Sequence, residues 1–149
     1  MPQFAYKEVV MKTGLLTPRQ LLMLVLAASR DAGYGVISKE RVVYTLWDMR
    51  DTGNQVVPGL TFSLSGERRF CRALDDAFIS LHGAGAPFNS ITGAIEVSDE
   101  LSCAEIYKPL HDEERESLYL AIAPYLAEFV RQVTWYVPET SERPIPSMF

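Results

Sequence analysis

The chain has 149 residues, of which 48% are hydrophobic and 22% charged, and its net charge is −5. That length and mix describe one folded domain with core enough to need no metal or disulfide staple. The acidic balance excludes a nucleic-acid module that is basic over its whole surface, leaving room only for a local basic patch.

Cys71 and Cys103 lie far apart, in neither a disulfide framework nor a metal-ligand spacing. The Met-Pro-Gln start lacks the basic and apolar stretches of a leader, and the longest apolar run, Leu21 to Ala28, is too short to cross a bilayer. The expectation is a cytoplasmic protein with two free thiols and no membrane contact.

Thr17-Pro18-Arg19-Gln20 reads as a capping box with proline at the first helical position. The helix that follows is apolar all round from Leu21 to Leu26, the mark of a buried helix, and Gly33 and Gly35 end it. Ser38 caps a second helix to about Met49, with Val42, Val43, Leu46 and Trp47 as its stripe. Residues 51–60 read as a loop. A third helix is expected from near Ser65, on the spacing of Phe70, Leu74, Ala77, Phe78 and Leu81, and Gly83 and Gly85 stop it.

Two apolar pieces around Thr92-Gly93, within 88–97, predict a small β-hairpin, the one convincing strand signal. Ser102 and Glu105 predict a short helix ending at Lys108-Pro109. Asp112 caps a long one whose face carries Leu118, Ile122, Tyr125, Leu126, Phe129, Val133 and Tyr136. Pro124 is expected to kink or split that helix, and Pro138 to end it. Residues 138–149, with Pro144 and Pro146, form an extended tail.

The fold expected is mainly α, a single domain. Its winged-helix-like core (15–98) has three helices and a small hairpin, and a helical extension (99–137) follows.

No catalytic constellation emerges. Asp51-Thr52-Gly53 matches the aspartic protease tripeptide, but that chemistry needs two such aspartates on strand-flanked loops, and here a helix precedes it. His82-Gly83-Ala84-Gly85 suggests an oxyanion loop, yet no Gly-x-Ser-x-Gly elbow exists, and a helix end explains it better. Cys71 as a nucleophile would need His82 or His111 beside it. A shared cleft of Asp51, Cys71 and His82 is the one enzymatic possibility left open. The expectation is no catalytic residue, no metal and no cofactor.

Arg68, Arg69 and Arg72 form the densest cluster of positive charge, and placed on a third helix they would face DNA phosphates or guanine edges. Glu67, Asp75 and Asp76 on the same stretch offer the plainer explanation of surface pairing. On the long helix, Tyr119, Tyr125, Phe129, Trp135 and Tyr136 are candidate partner anchors, since aromatics dominate protein interfaces.

Three stretches carry a family resemblance: Lys39 to Trp47 after an apolar helix, Glu67-Arg68-Arg69 leading to Leu81-His82-Gly83, and Pro124-Tyr125-Leu126-Ala127 through Val133-Thr134-Trp135. Over residues 15–137 the chain resembles the small middle components of prokaryotic ABC three-component defence systems. These accompany an ATPase like those of structural maintenance of chromosomes, together with an effector. Gly93-Ala94-Ile95 stands where such proteins often carry a Gly-x-Tyr element. The resemblance implies a non-catalytic adaptor subunit that binds the large ATPase in an anti-phage or anti-plasmid assembly, with DNA reached through the complex. The alternative is a winged-helix transcriptional regulator binding DNA through Arg68, Arg69 and Arg72.

Overall fold

The computed structural model describes residues 16–66 and 68–140, with side chains as far as Thr134. The fold is mainly helical: α1 (Pro18–Asp31), β1 (Val36–Ser38), α2 (Lys39–Met49), β2 (Ser63–Ser65), β3 (Arg68–Phe70), α3 (Arg72–Leu81), β4 (Ala94–Glu96), α4 (Ala104–Tyr107) and α5 (Asp112–Thr140).

Helix α1 begins as its sequence dictates. The Gln20 N–H donates to Thr17 Oγ1 at 3.1 Å, and the Thr17 N–H donates to Gln20 Oε1 at 3.0 Å. It ends in a Schellman motif, with Tyr34 N–H on the Ser29 carbonyl, Gly33 N–H on that of Arg30, and Gly33 at φ +103°. Leu21 to Ala27 are all buried, with α3 and α5 packed on the helix. Each fully buried Leu or Val there contributes roughly 1.5–3 kcal/mol. The Ser38 hydroxyl caps α2 as expected, accepting from the Arg41 N–H.

Strand β1 pairs antiparallel with β4, Ile37 opposite Ile95. On the other side of β4, Glu96 N–H donates to the Pro87 carbonyl and Asn89 N–H to that of Ala94, both at 2.9 Å. The expected hairpin is therefore present, its turn closed by Asn89 Oδ1, which accepts from Ile91 and Thr92 N–H. Its first arm, however, reduces to a bridge at Phe88, and β1 supplies the partner strand that the sequence did not reveal.

The third helix starts later than expected. Ser63–Ser65 and Arg68–Phe70 pair as an antiparallel hairpin instead, and α3 begins at Arg72 with Cys71 as its N-cap. Gly66 at φ +66° explains why, since it lets a two-residue loop close where a helix would need a negative φ. Arg68 and Arg69 thus sit on a strand and only Arg72 on a helix.

Helix α5 also departs from expectation: it runs unbroken through Pro124 and passes Pro138 to Thr140. Pro124 has no N–H for the Leu120 carbonyl four residues back. One residue along, Asn54 Nδ2 donates to the Ala121 carbonyl at 2.9 Å while its Oδ1 accepts from Val56 N–H, so the 50–62 loop supplies a donor at the proline turn. Asn54→Ala removes both bonds and is expected to cost about 1–2 kcal/mol. An unchanged urea midpoint would show that these bonds contribute nothing.

Thr45 is fully buried on α2, and its Oγ1 has no hydrogen-bond partner among the described residues. Thr45→Val keeps the outline and removes the desolvated hydroxyl, so it should stabilise by about 1 kcal/mol, a rise in Tm of ~3 °C. A fall in Tm would mean that the hydroxyl is bonded in solution.

A backbone knot joins α1 to the segment after α3. Arg30 Nη1 donates to the carbonyls of Ser98 and Leu101 at 3.1 and 2.8 Å. Ser98 N–H and its hydroxyl both donate to the Gly85 carbonyl. Arg19, at the other end of α1, bonds Ser80 of α3 and pairs with Glu105 of α4. These ties fix the 82–93 segment, and with it one wall of the cleft described next.

Candidate partner-binding cleft

A cleft of about 840 Å³ opens between the first turns of α2, the β2–β3 hairpin with the start of α3, and the 88–93 turn. Side-chain packing sets the hairpin on α2. Phe62 lies 5.1 Å from the Trp47 ring, centroid to centroid. Arg69 reaches between Tyr44 and Trp47, at 4.6 and 4.9 Å from their rings, and pairs with Asp48 at 3.1 Å. Arg50 covers the Trp47 ring at 5.2 Å.

Lys39 is committed as well. Its Nζ lies 2.9 Å from Asp75 Oδ1 and 5.1 Å from the Phe88 ring, joining α2 to α3 and the 88–93 turn. Cations over aromatic faces gain of order 0.5–1 kcal/mol at exposed sites, so these residues serve mainly to hold the walls together.

Two apolar side chains remain uncovered on the rim: Phe70 is 42% exposed at the end of β3 and Ile91 is 93% exposed in the facing turn. Arg68 stands beside Phe70 and makes no ion pair among the described residues.

The arginine cluster read from sequence therefore divides. Arg69 anchors the hairpin, Arg68 lines the cleft, and Arg72 is exposed at the first position of α3. The aromatic set divides too. Tyr125 and Phe129 belong to the core, at 4% and 0% exposed, and offer no surface to a partner. They share one face of α5 with Leu118, Ile122 and Val133, all buried, so amphipathic packing claims them. Burial pushes the Tyr125 phenol well above its ordinary value. Tyr119 is 59% exposed beside the equally exposed Leu120, and remains available on the surface. The side chains of Trp135 and Tyr136 lie outside the described residues, as does the tail beyond Thr140, which includes Pro144 and Pro146.

The three residues considered for a shared enzymatic cleft are not brought together. Cys71 and His82 cap opposite ends of α3, about 16 Å apart along the helix at 1.5 Å per residue. Asp51 is on the loop after α2, paired with Arg50. His82 Nδ1 accepts from the Phe88 N–H at 2.9 Å, which gives it a structural task in the turn leading to the cleft. No group of three His, Cys, Asp or Glu side chains among the described residues is arranged to hold a metal. No helix among them is long and apolar enough to cross a membrane.

The cleft is hidden in the sequence because the spacing of Phe70 with Leu74, Ala77, Phe78 and Leu81 fits a helix stripe. The available signal was Ser65-Gly66-Glu67-Arg68, a glycine-led two-residue loop. No family model, curated protein or solved structure matches the chain.

Proposed function

We propose that this chain is a non-catalytic adaptor subunit that docks a larger protein in the cleft between α2, the β2–β3 hairpin and the 88–93 turn. The observation that carries the reading is the pair of exposed apolar side chains, Phe70 and Ile91, on the rim of a cleft whose Lys39 and Arg69 are already paired. Apolar anchors over a pre-formed concave surface are what protein partners bury. The resemblance in sequence points to the partner class, an ATPase of the structural-maintenance-of-chromosomes kind in a cytoplasmic antiviral defence assembly. DNA would then be reached through the complex.

A winged-helix-like core is supported by the order α1, β1, α2, α3 and the 87–96 hairpin, with β1 completing the sheet. In that reading β2–β3 is an insertion, and α4 and α5 form the extension. The DNA-binding alternative draws on one observation, that Arg68 and Arg72 lack acidic partners among the described residues. Asp75 and Asp76 on α3 oppose it.

The test is recovery of the tagged chain from its native host, with and without nuclease, beside a Phe70→Ser/Ile91→Ser variant of unchanged circular dichroism. One or two larger proteins in fixed ratio, insensitive to nuclease and lost with the variant, is the expected result. Partners that vanish with nuclease, or direct binding to duplex DNA that weakens steeply with salt, would replace the adaptor with the regulator.

A further inference from the structure

Strand β3 has an open edge beside the cleft. Ser65 and Arg68 form the hydrogen-bonded pair nearest the turn, so the next pair, Leu64 and Arg69, directs its N–H and C=O groups away from the ladder. On the β3 side, the outward N–H and C=O of Arg69 have no partner among the described residues. The Arg69 side chain is clamped by Asp48, Tyr44 and Trp47, which holds this edge rigid. Folded proteins cover or charge such an edge, because it is a template for another strand.

The charges around the edge say what would cover it. Arg68 lies on this strand and Arg72 opens α3 two residues beyond it, and neither has an ion pair among the described residues. Glu40, in the first turn of α2, is the opposing acid, while Lys39 and Asp75 neutralise each other. With Glu67 beside Arg68 in the sequence and Asp76 on α3, the neighbourhood as a whole carries no positive excess, and Arg68 is the one cation of the cleft lining without an ion pair among the described residues. A single unpaired cation suits one carboxylate and falls short of the run of phosphate contacts that nucleic acid requires.

We propose that the cleft takes an acidic, extended peptide segment of the partner protein, added as a third strand on the edge of β3. The proposal rests on the adaptor reading and specifies its contact. Main-chain bonds to Arg69 supply affinity, and side chains at alternate positions supply selectivity. Arg68 and Phe70, two residues apart, share one face of β3. The added strand should therefore place an Asp or Glu against Arg68 and an aromatic or β-branched residue against Phe70, with one residue between them.

The experiment selects random 12-residue peptides displayed on phage against the immobilised full chain. A leading peptide is then titrated as a fluorescein conjugate, and Arg69 amide exchange is followed by NMR. The expected outcome is enrichment of the acid-x-apolar pattern, at least a tenfold weakening with Arg68→Glu and with Phe70→Ser, and at least a tenfold slowing of Arg69 amide exchange at saturation. No enrichment, basic sequences, or an Arg69 amide unchanged by the peptide would overturn strand addition. So would displacement of the peptide by a 20-base-pair DNA duplex. If a host partner is still recovered, and equally by Arg68→Glu, strand addition alone fails; if no host protein is recovered by the unaltered chain, the adaptor reading fails.

Discussion

Gly85→Ala is expected to destabilise the chain by about 4 kcal/mol, lowering Tm by ~10 °C or more in a reversible melt. Gly85 holds φ +107°, a conformation L side chains rarely adopt, and a Cβ there would lie 2.4 Å from the Leu101 nitrogen and 2.6 Å from its Cα. Backbone strain of this kind costs of order 1–3 kcal/mol. The clash adds to it, because it meets main chain that cannot rotate aside. The obstructed segment is the one that Arg30 and Ser98 hold in place, so relief would break those bonds. Gly83→Ala is the control: nothing lies within 4 Å of its would-be Cβ and its φ is ordinary, so the change should stay within about 0.5 kcal/mol. Equal effects at the two glycines would contradict the close approach of Leu101.

The second large effect separates core from interface on α5. Phe129→Ala is expected to cost about 3–5 kcal/mol, since the ring is fully buried and its removal leaves a cavity between α5 and the helices beneath it. Tyr119→Ala, at a side chain 59% exposed, should change stability by less than about 0.5 kcal/mol. Chemical denaturation of both variants decides the point. A marginal loss at Phe129 would return that ring to the list of partner anchors, and a large loss at Tyr119 would remove it.

Signals written in local chemistry were legible. The Thr17–Gln20 box, the Gly33 stop and the Ser38 cap each need only a few neighbouring atoms, and each forms. The alternation around Thr92-Gly93 likewise gives its turn. Three-residue strands carry too little periodicity to be seen. That hid β1, and it let Phe70 join Leu74, Ala77, Phe78 and Leu81 on an imagined helix face. Pro124 misled for another reason: the donor at its turn, Asn54, lies 67 residues along the chain from the Ala121 carbonyl it bonds. The cleft was illegible because exposure of Phe70 and Ile91 is a property of the assembled walls. The division of the three arginines depends on Asp48 and two aromatic rings from α2.

The position of Cys71 has a further consequence. This thiol is 2% exposed at the junction where β3 passes into α3, and it is reached only if that junction parts. Its reaction with a disulfide reagent therefore tracks how far the junction between β3 and α3 is open at equilibrium. Cys103, half-buried, with its thiol pushed up by burial and placed at the N-cap of α4, supplies an internal reference on a different element. A ligand that bridges the hairpin and α3 would slow the first reaction and leave the second unchanged, so the native chain carries its own occupancy reporter without any added label.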